Sequence, residues 1–535
     1  MSSKESPQDN RVYLYDSTLR DGAQTSTINF GVKDKIAIAQ KLDELGIDYI
    51  EGGWPGANPT DDEFFANLPQ LTKSKFCAFG MTRKNGSLAK DDIALNRSVN
   101  ADVDSVCIFG KTWDFQLEHA IQVSEDENLS MIAESISHIV DTGKEAMFDA
   151  EHFFDGYKSN PEFALRAIKA AEEAGARWII LCDTNGGSLP SEIHKAVSEV
   201  VKHIPGSKVG IHCHNDTGNA VANSLAAVEA GARQIQGTMN GLGERCGNAN
   251  LISIIPTLAL KMGFETGISE TALKNLVLTA NFIYDIIDRD RDDFAPYVGK
   301  YAFAHKGGLH VSAVAKNPEC YEHTNPANVG NKRFILVSDQ AGKSNILSRL
   351  KEFDINLDDV ENPQITKLVE QVKQREMDGY SYDTADASFE ILARKSLAKI
   401  PNFFRLLNFK ITDEITKQES GEAKNLSQAV LEIEVKDKTV RQEATGEGPV
   451  EALDKALRMA LSDHYPLIEK AKLTDYKVRI LNPSDGTKAL TRVKIETTDE
   501  TGKKWSTIGV SGNIVYASFL ALKDSIVFQL IKEHN

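Results

Sequence analysis

The strongest constraint on the fold is a regular alternation of short β-rich runs and helical patterns from residue 11 to about residue 262. The candidate strands begin at Val12, Asp48, Lys75, Ser105, Glu145, Arg177, Lys208 and Arg233. Helical periodicity follows each strand, for instance in residues 34–46 and 161–176. Eight strand and helix pairs in succession predict a closed (β/α)8 TIM barrel, an α/β fold. An open doubly wound sheet is less favoured, because the turn after the first strand lacks its glycine-rich pattern.

The sequence after the barrel predicts two further regions, a helical linker and a C-terminal domain. A length of 535 residues suggests roughly three domains at about 150 residues each. We assign the barrel to residues 11–285, mostly helical linker subdomains to 286–404 and an α+β domain to 405–535. In this last part, strands, a glycine and an amphipathic helix occur twice in the same order. Such a loose repeat suits effector binding or dimer contacts better than chemistry.

Composition limits the partners and the compartment. The 61 basic and 77 acidic residues give a net charge of −16, which disfavours nucleic acids and anionic membranes as partners. The polar first ten residues and the lack of a long uncharged apolar run predict a cytoplasmic protein. Six widely spaced cysteines without a CxxC pair predict buried thiols, with neither a disulfide frame nor a zinc cage.

The sharpest chemical feature is the pair His212 and His214 at the end of the seventh candidate strand. Side chains two apart on a strand point to the same side, so both imidazoles can face the barrel mouth. Asp21 follows the first strand, which lies close by in a closed ring. Two imidazoles and one carboxylate bind a divalent ion and leave room for a 2-oxo acid, whose carbonyl the ion would polarise. The alternative is a pair of histidines that caps the barrel core.

Four more residues lie at the carboxyl ends of strands, where barrel enzymes gather their catalytic groups. Arg20 is either a surface charge or a guanidinium that stabilises an alkoxide. Glu151 is either a catalytic carboxylate or a solvated loop residue. Thr184 donates to a substrate carboxylate or caps a helix. Asn248, in the glycine-rich loop after the eighth strand, is a further metal ligand or a group that orients one.

A segment beyond the barrel also carries groups suited to proton transfer. Residues 304–310 include His310, and Tyr321 follows eleven residues later. Histidine titrates near neutral pH and suits a general base. From the residues alone, an ordinary linker segment without chemistry explains the pattern as well.

Three segments resemble the signatures of the 2-isopropylmalate, homocitrate and citramalate synthase family. They are DSTLRDGAQ at 16–24, HCHNDTGNAVAN at 212–223 and GLGERCGNANL at 241–251. The likeness continues through the His310 segment and residues 447–453, so it covers nearly the whole chain. The sequences of residues 149–157 and 303–314 are most similar to the citramalate synthase branch. One departure concerns the fifth strand, which has Asp-Ala-Glu-His where isopropylmalate synthases usually have a Ser-Pro-Glu-Asp type of sequence, so the glutamate carries over but the pocket lining does not.

The resemblance implies a metal site and a 2-oxo acid site at the barrel mouth. Asp21, His212 and His214 would hold the ion, and Arg20 and Thr184 would hold the 2-oxo acid. Oxygen and imidazole ligands suit Mg²⁺, Mn²⁺, Co²⁺ or Zn²⁺.

The resemblance also implies an acyltransferase that performs a Claisen-type condensation of acetyl-CoA with pyruvate and water, giving citramalate and CoA on a route to isoleucine. Glu151, His310 and Tyr321 would take part in activating acetyl-CoA, the last two reaching in from the linker region of a partner subunit in a homodimer. The α+β domain is similar to the family's amino-acid feedback domain, which makes isoleucine the expected allosteric effector.

Other activities remain open at this point. The nearest alternative is the same chemistry on 2-oxoisovalerate, which gives 2-isopropylmalate. A lyase that cleaves an acyl-CoA thioester of a 3-hydroxy acid is less favoured because of the long C-terminal domain. Two histidines and a carboxylate also suit an iron oxygenase, and a ligand-sensing barrel without catalysis would leave Arg20 and the metal-binding pattern unexplained.

Overall fold

The computed structural model describes residues 10–337, 342–355, 362–397, 400–417 and 423–534. The chain divides into two compact units. One comprises Met1–Phe303 and Thr324–Lys332, and the other comprises Ala304–His323 and Arg333–Asn535.

The first unit is a closed barrel of eight parallel strands, which confirms the predicted fold class. The strands are β1 (Tyr13–Asp16), β2 (Tyr49–Gly53), β3 (Lys75–Met81), β4 (Ser105–Lys111), β5 (Glu145–Glu151), β6 (Trp178–Asp183), β7 (Val209–Cys213) and β8 (Gln234–Gly237). Neighbours along the chain pair with one another, and β8 pairs with β1 to close the ring. This closure brings the loop after β1 beside the ends of β7 and β8.

Helices surround the barrel and connect its strands. They are α1 (Val32–Leu45), α2 (Pro59–Ala66), α3 (Ile93–Val99), α4 (Asp114–Gln116), α5 (Glu125–Asp141), α6 (Phe153–Ser159), α7 (Pro161–Glu173), α8 (Pro190–Val200), α9 (Ala220–Glu229), α10 (Leu251–Thr257), α11 (Glu270–Leu273) and α12 (Leu276–Ile286). Helix α7 shows why they form: the Asn160 side chain caps its first turn and Pro161 opens it. Phe163, Ala167 and Ala171, four residues apart, make its buried face.

The barrel interior has a core of its own, separate from the layer between strands and helices. Tyr15, Cys77, Cys107, Met147 and Trp178 belong to this buried inner cluster. Polar side chains also lie inside the barrel, from where they can reach the barrel mouth at the carboxyl ends of the strands.

The second unit begins with short strands and helices. They are β9 (Ala304–His305), α13 (Gly308–Lys316), β10 (Phe334–Ile335), α14 (Lys343–Glu352), α15 (Asn362–Met377) and α16 (Asp386–Ser396). Strands β9 and β10 pair in parallel.

The rest of the second unit is a repeat of three antiparallel strands and a helix. The first copy is β11 (Arg405–Lys417), β12 (Ala423–Val435), β13 (Lys438–Gly446) and α17 (Pro449–Ser462). The second copy is β14 (Ala471–Ile480), β15 (Thr491–Asp499), β16 (Lys504–Ser511) and α18 (Ile514–His534). The sequence repeat is therefore real, although the pattern missed β11 at the start of the first copy.

Helix α18 is, among the described residues, the one helix long and apolar enough to cross a membrane by length and composition. Most of it is buried inside the second unit, where Phe519, Leu522 and Leu530 belong to the core. Lys523 and Asp524 interrupt the apolar run at its middle. These features are those of the core helix of a folded domain.

The cysteines correct one expectation from the sequence. Cys77, Cys107, Cys182 and Cys213 are buried free thiols, as predicted, because they lie within barrel strands. The prediction is wrong for Cys246 and Cys320, which are exposed. Both lie outside the strands, so barrel packing does not cover them.

Candidate metal centre and active site

The loop after β1 is held by a buried carboxyl group. Asp16 accepts hydrogen bonds from the amide and the hydroxyl group of Thr18, both at 2.9 Å. The Thr18 hydroxyl in turn accepts from the Met239 amide beyond β8, also at 2.9 Å. Burial raises the pKa of Asp16 to about 7. These contacts fix the turn that presents Arg20 and Asp21.

Asp21, His212 and His214 lie together in one buried cluster. Asp21 Oδ2 is 3.4 Å from His212 Nε2 and 3.8 Å from His214 Nε2. The two Nε2 atoms are 3.3 Å apart. His214 lies one residue past the end of β7, where its backbone forms an isolated bridge with Asn248. Asp21 is far from the two histidines in sequence, and the three residues come together because β1 pairs with β8 to close the barrel.

The donor set of the cluster fits a divalent cation. The three candidate ligand atoms lie within 4.8 Å of one another, and one carboxylate with two imidazoles is a ligand set used for divalent ions. Within the described part of the chain, Asp21 Oδ1, His214 Nδ1 and Asn248 Oδ1 are buried without a hydrogen-bond partner. Buried polar atoms are rarely left unpaired, so orphaned atoms beside this cluster favour a bound ion.

Electrostatics favour the metal-binding protonation states of Asp21 and His214. Burial alone would raise the pKa of Asp21, but the Arg20 guanidinium and the two imidazoles outweigh it and hold that pKa below its usual range. Burial and the charge of His212 lower the pKa of His214 to about 4. Burial opposes the charged form of His212, yet its contact with Asp21 raises its pKa. A carboxylate and a neutral imidazole are the forms that bind metal ions.

Arg20 is fixed beside this cluster by two neighbours that sequence reasoning missed. Its Nε donates to Glu51 Oε2 at 2.7 Å, and its guanidinium lies over the Phe79 ring at 3.9 Å. Glu51 is fully buried and also accepts from the Tyr15 hydroxyl at 2.8 Å. The guanidinium Nη1 is 3.5 Å from Asp21 Oδ2. A cation held on three sides is preorganised for charge that develops on a bound ligand.

Glu151 and Thr184 lie at the ends of β5 and β6. The Glu151 carboxylate forms an ion pair with Lys111 at the end of β4, a partner that the sequence pattern did not suggest. Thr184 Oγ1 accepts a hydrogen bond from the His152 amide at 2.9 Å, which leaves its hydroxyl proton to donate. Thr184 therefore links the ends of β5 and β6, at the residue that precedes α6.

His310 and Tyr321 belong to the second unit, whereas the other candidate residues belong to the barrel unit. Their rings stack with centroids 4.2 Å apart. Tyr321 is 49% exposed. Next to it, the nearly buried Glu322 carboxylate pairs with Arg333 and contacts His305 Nε2 at 3.1 Å. This ion pair anchors the turn that carries Tyr321.

Gln236 and Asp149 are two further polar residues that the sequence reasoning overlooked. Gln236 Oε1 is 2.9 Å from His212 Nδ1, and Gln236 Nε2 donates to Asp149 Oδ1 at 3.0 Å. Their positions in the strands could have identified them. Asp149 lies two residues before Glu151 and so faces the same side of β5, and Gln236 lies on the interior face of β8. Polar side chains inside a barrel strand need partners, which marks them as candidates.

Comparison with known families agrees with the architecture. Residues 11–283 match the HMGL-like family, 297–377 match the homocitrate synthase post-HMGL domain-like family, and 383–529 match the LeuA allosteric (dimerisation) domain. The matches follow one another along the chain, and the first covers the barrel.

Curated relatives match over almost their full length. The chain is 47% identical to an (R)-citramalate synthase of Aquifex aeolicus over 98% of this chain and 99% of that protein. It is also 47% identical to an (R)-citramalate synthase of Geobacter sulfurreducens over 98% of both chains. A probable 2-isopropylmalate synthase of Methanopyrus kandleri is 32% identical over 96% of this chain and 97% of that protein. The chain therefore belongs to the HMGL-like family and, within it, to the citramalate synthases.

Proposed function

We propose that this chain condenses acetyl-CoA with pyruvate and water to give citramalate and CoA. The observation that carries the proposal is the cluster of Asp21, His212 and His214 beside a fixed Arg20, in a chain that belongs to the citramalate synthases. Asp21, His212 and His214 would hold a divalent ion, with Asn248 next to them. When bound, such an ion acts as a Lewis acid toward the ketone of pyruvate.

The side chains at the barrel mouth meet the needs of this reaction. A C–H bond of the acetyl methyl group breaks, a C–C bond forms to the ketone carbon, and the ketone oxygen becomes an alkoxide. The Arg20 guanidinium stabilises that negative charge, and the Thr184 hydroxyl donates to the pyruvate carboxylate. Water then hydrolyses the thioester and releases CoA.

Removal of the methyl proton is assigned to Glu151, His310 and Tyr321. A carboxylate or an imidazole can accept the proton, and a phenol can donate to an oxygen that gains charge. The ion pair with Lys111 orients the Glu151 carboxylate. His310 and Tyr321, whose rings stack, both belong to the second unit, and we assign this pair to the active site of a partner subunit.

Substrate preference is the test of this assignment. In a thiol-release assay with acetyl-CoA, kcat/KM for pyruvate should exceed that for 2-oxoisovalerate by at least about 10-fold, because differences of a methyl group or more change binding by 10-fold or more. The panel includes 2-oxobutyrate and 2-oxoglutarate as controls for size and charge. A higher kcat/KM for 2-oxoisovalerate would instead favour 2-isopropylmalate synthesis, and no thiol release with any 2-oxo acid would refute the condensation.

We also propose that the chain forms a cytoplasmic homodimer that isoleucine inhibits. The match to an allosteric dimerisation domain over 383–529 supports a dimer and a regulatory role for the repeat. The two repeats each place a glycine-containing turn before a helix, at Gly446–Gly448 before α17 and at Gly512 before α18. We assign the effector to these helix starts, where backbone amide groups attract a carboxylate.

Leucine substitutions at the two turns test the effector assignment. A Cβ atom added at Gly448 or Gly512 would meet nothing within 4 Å, so we expect Gly448→Leu and Gly512→Leu to fold. Both should leave kcat unchanged and raise the isoleucine concentration for half inhibition about 10-fold or more, because the new side chains fill the proposed site. Inhibition of both variants at the wild-type concentration would remove the effector from these turns.

A further inference from the structure

A chain of buried hydrogen bonds runs through the barrel interior to His212. Cys107 Sγ donates to Asp149 Oδ1 at 3.2 Å, and Gln236 Nε2 donates to the same oxygen at 3.0 Å. Gln236 Oε1 then lies 2.9 Å from His212 Nδ1. Asp149, Gln236 and His212 are each at most 5% exposed. Water therefore does not compete for these contacts.

The contacting atoms fix which group donates and which accepts in each of these hydrogen bonds. The amide nitrogen of Gln236 is the atom that donates to Asp149, so the amide oxygen faces His212. An amide oxygen only accepts, so His212 Nδ1 carries the proton. A neutral imidazole protonated at Nδ1 has its lone pair at Nε2. This is the atom that lies 3.4 Å from Asp21 Oδ2 in the candidate metal cluster.

We propose that Gln236, anchored by Asp149, is a positioning residue that selects the metal-binding tautomer of His212 and orients its ring. The inference rests on the proposed metal site. Without the amide oxygen, His212 could carry its proton on Nε2 and would lose the ligand atom in that form. Hydrogen-bond partners of metal-binding histidines typically contribute about 10–100-fold in metal affinity.

The barrel supplies a matched control two residues earlier in the same strand. Gln234 is also fully buried on β8, and its Nε2 lies 4.0 Å from Met147 Sδ. Its Oε1 is unpaired within the described structure. Gln234→Leu thus makes the same chemical change in the same strand without touching the contact to His212.

The test is titration of the metal-stripped, full-length chain with Mn²⁺, followed by the signal of free Mn²⁺ in electron paramagnetic resonance. Gln236→Leu should raise the Kd for Mn²⁺ about 10–100-fold, and Gln234→Leu should leave it within about 3-fold of wild type. The double variant Gln236→Glu with Asp149→Asn should also stay within about 3-fold, because the carboxylate still accepts the proton of His212 Nδ1 and the asparagine amide donates to that carboxylate. Circular dichroism of each metal-free variant checks folding. If Gln236→Leu does not fold, Gln236→Met is used in its place.

The outcomes separate this inference from the function on which it rests. Equal Mn²⁺ affinity in wild type and the Gln236→Leu chain would overturn the positioning role and leave the metal site intact. An equal loss in the Gln234→Leu chain would also overturn it, because packing rather than the tautomer would then set the affinity. Absence of Mn²⁺ binding by the wild type would overturn the metal site itself.

Discussion

Replacement of Asp21 by asparagine is expected to lower kcat by about 100-fold or more and to abolish tight metal binding. The change keeps the shape of a buried side chain but removes the single carboxylate of the cluster with His212 and His214. A neutral amide is a weaker ligand, and loss of one group that stabilises developing charge typically costs about 10²–10³ in kcat. Steady-state thiol release and the metal content of the dialysed protein measure the two effects.

A surface aspartate serves as the control for this substitution. Asp126 has a side chain that is 92% exposed and lies in an ion pair with Arg166. Asp126→Asn should leave both kcat and metal content unchanged, since exposed ion pairs contribute little. An Asp21→Asn variant that kept its metal and its kcat would show that the cluster is not the catalytic centre.

Replacement of Arg20 by glutamine should damage activity and stability together. Loss of the guanidinium removes the positive charge for the alkoxide, so kcat should fall about 100-fold or more. It also leaves Glu51 fully buried with Tyr15 as its remaining hydrogen-bond donor among the contacts described above. Breaking a buried ion pair from one side typically costs about 3–5 kcal/mol in the free energy of unfolding.

A double variant separates the two effects of Arg20. Arg20→Gln with Glu51→Gln removes both charges, so most of the lost stability should return, as it often does when a buried pair is neutralised together. The activity should stay low, because no cation faces the substrate. Urea unfolding gives the stability and thiol release gives kcat. Recovery of activity in the double variant would mean that Arg20 serves only to neutralise Glu51.

The barrel was predictable because burial and strand boundaries coincide in it. Strands β3 and β4 match the predicted runs at Lys75–Met81 and Ser105–Lys111 residue for residue. Strand β8 ends at Gly237, before the predicted Asn240, because the backbone turns there and Asn240 has a φ of 59°. Strand β11 was missed because burial and strand boundaries do not coincide there. Leu407 and Ile415 are 43% and 71% exposed, and Phe409 and Ile411 are only partly buried against the core, so burial alone does not mark this strand, which pairs with β12.

The candidate site was predictable only where the fold itself brings strand ends together. Closure of a barrel puts the end of β1 beside β7 and β8, so the sequence pattern alone groups Asp21 with the two histidines. The partners Glu51 and Lys111 depend on side-chain reach across neighbouring strands, which a sequence pattern does not encode.

The most direct measurement is thiol release by the full-length chain after its metal has been removed with a chelator. With acetyl-CoA and pyruvate, the metal-free protein should release no CoA, and addition of Mn²⁺ or Mg²⁺ should restore release together with an equal amount of citramalate. Full activity in the rigorously metal-free protein would contradict the assignment of Asp21, His212 and His214 as the ligands of an essential ion.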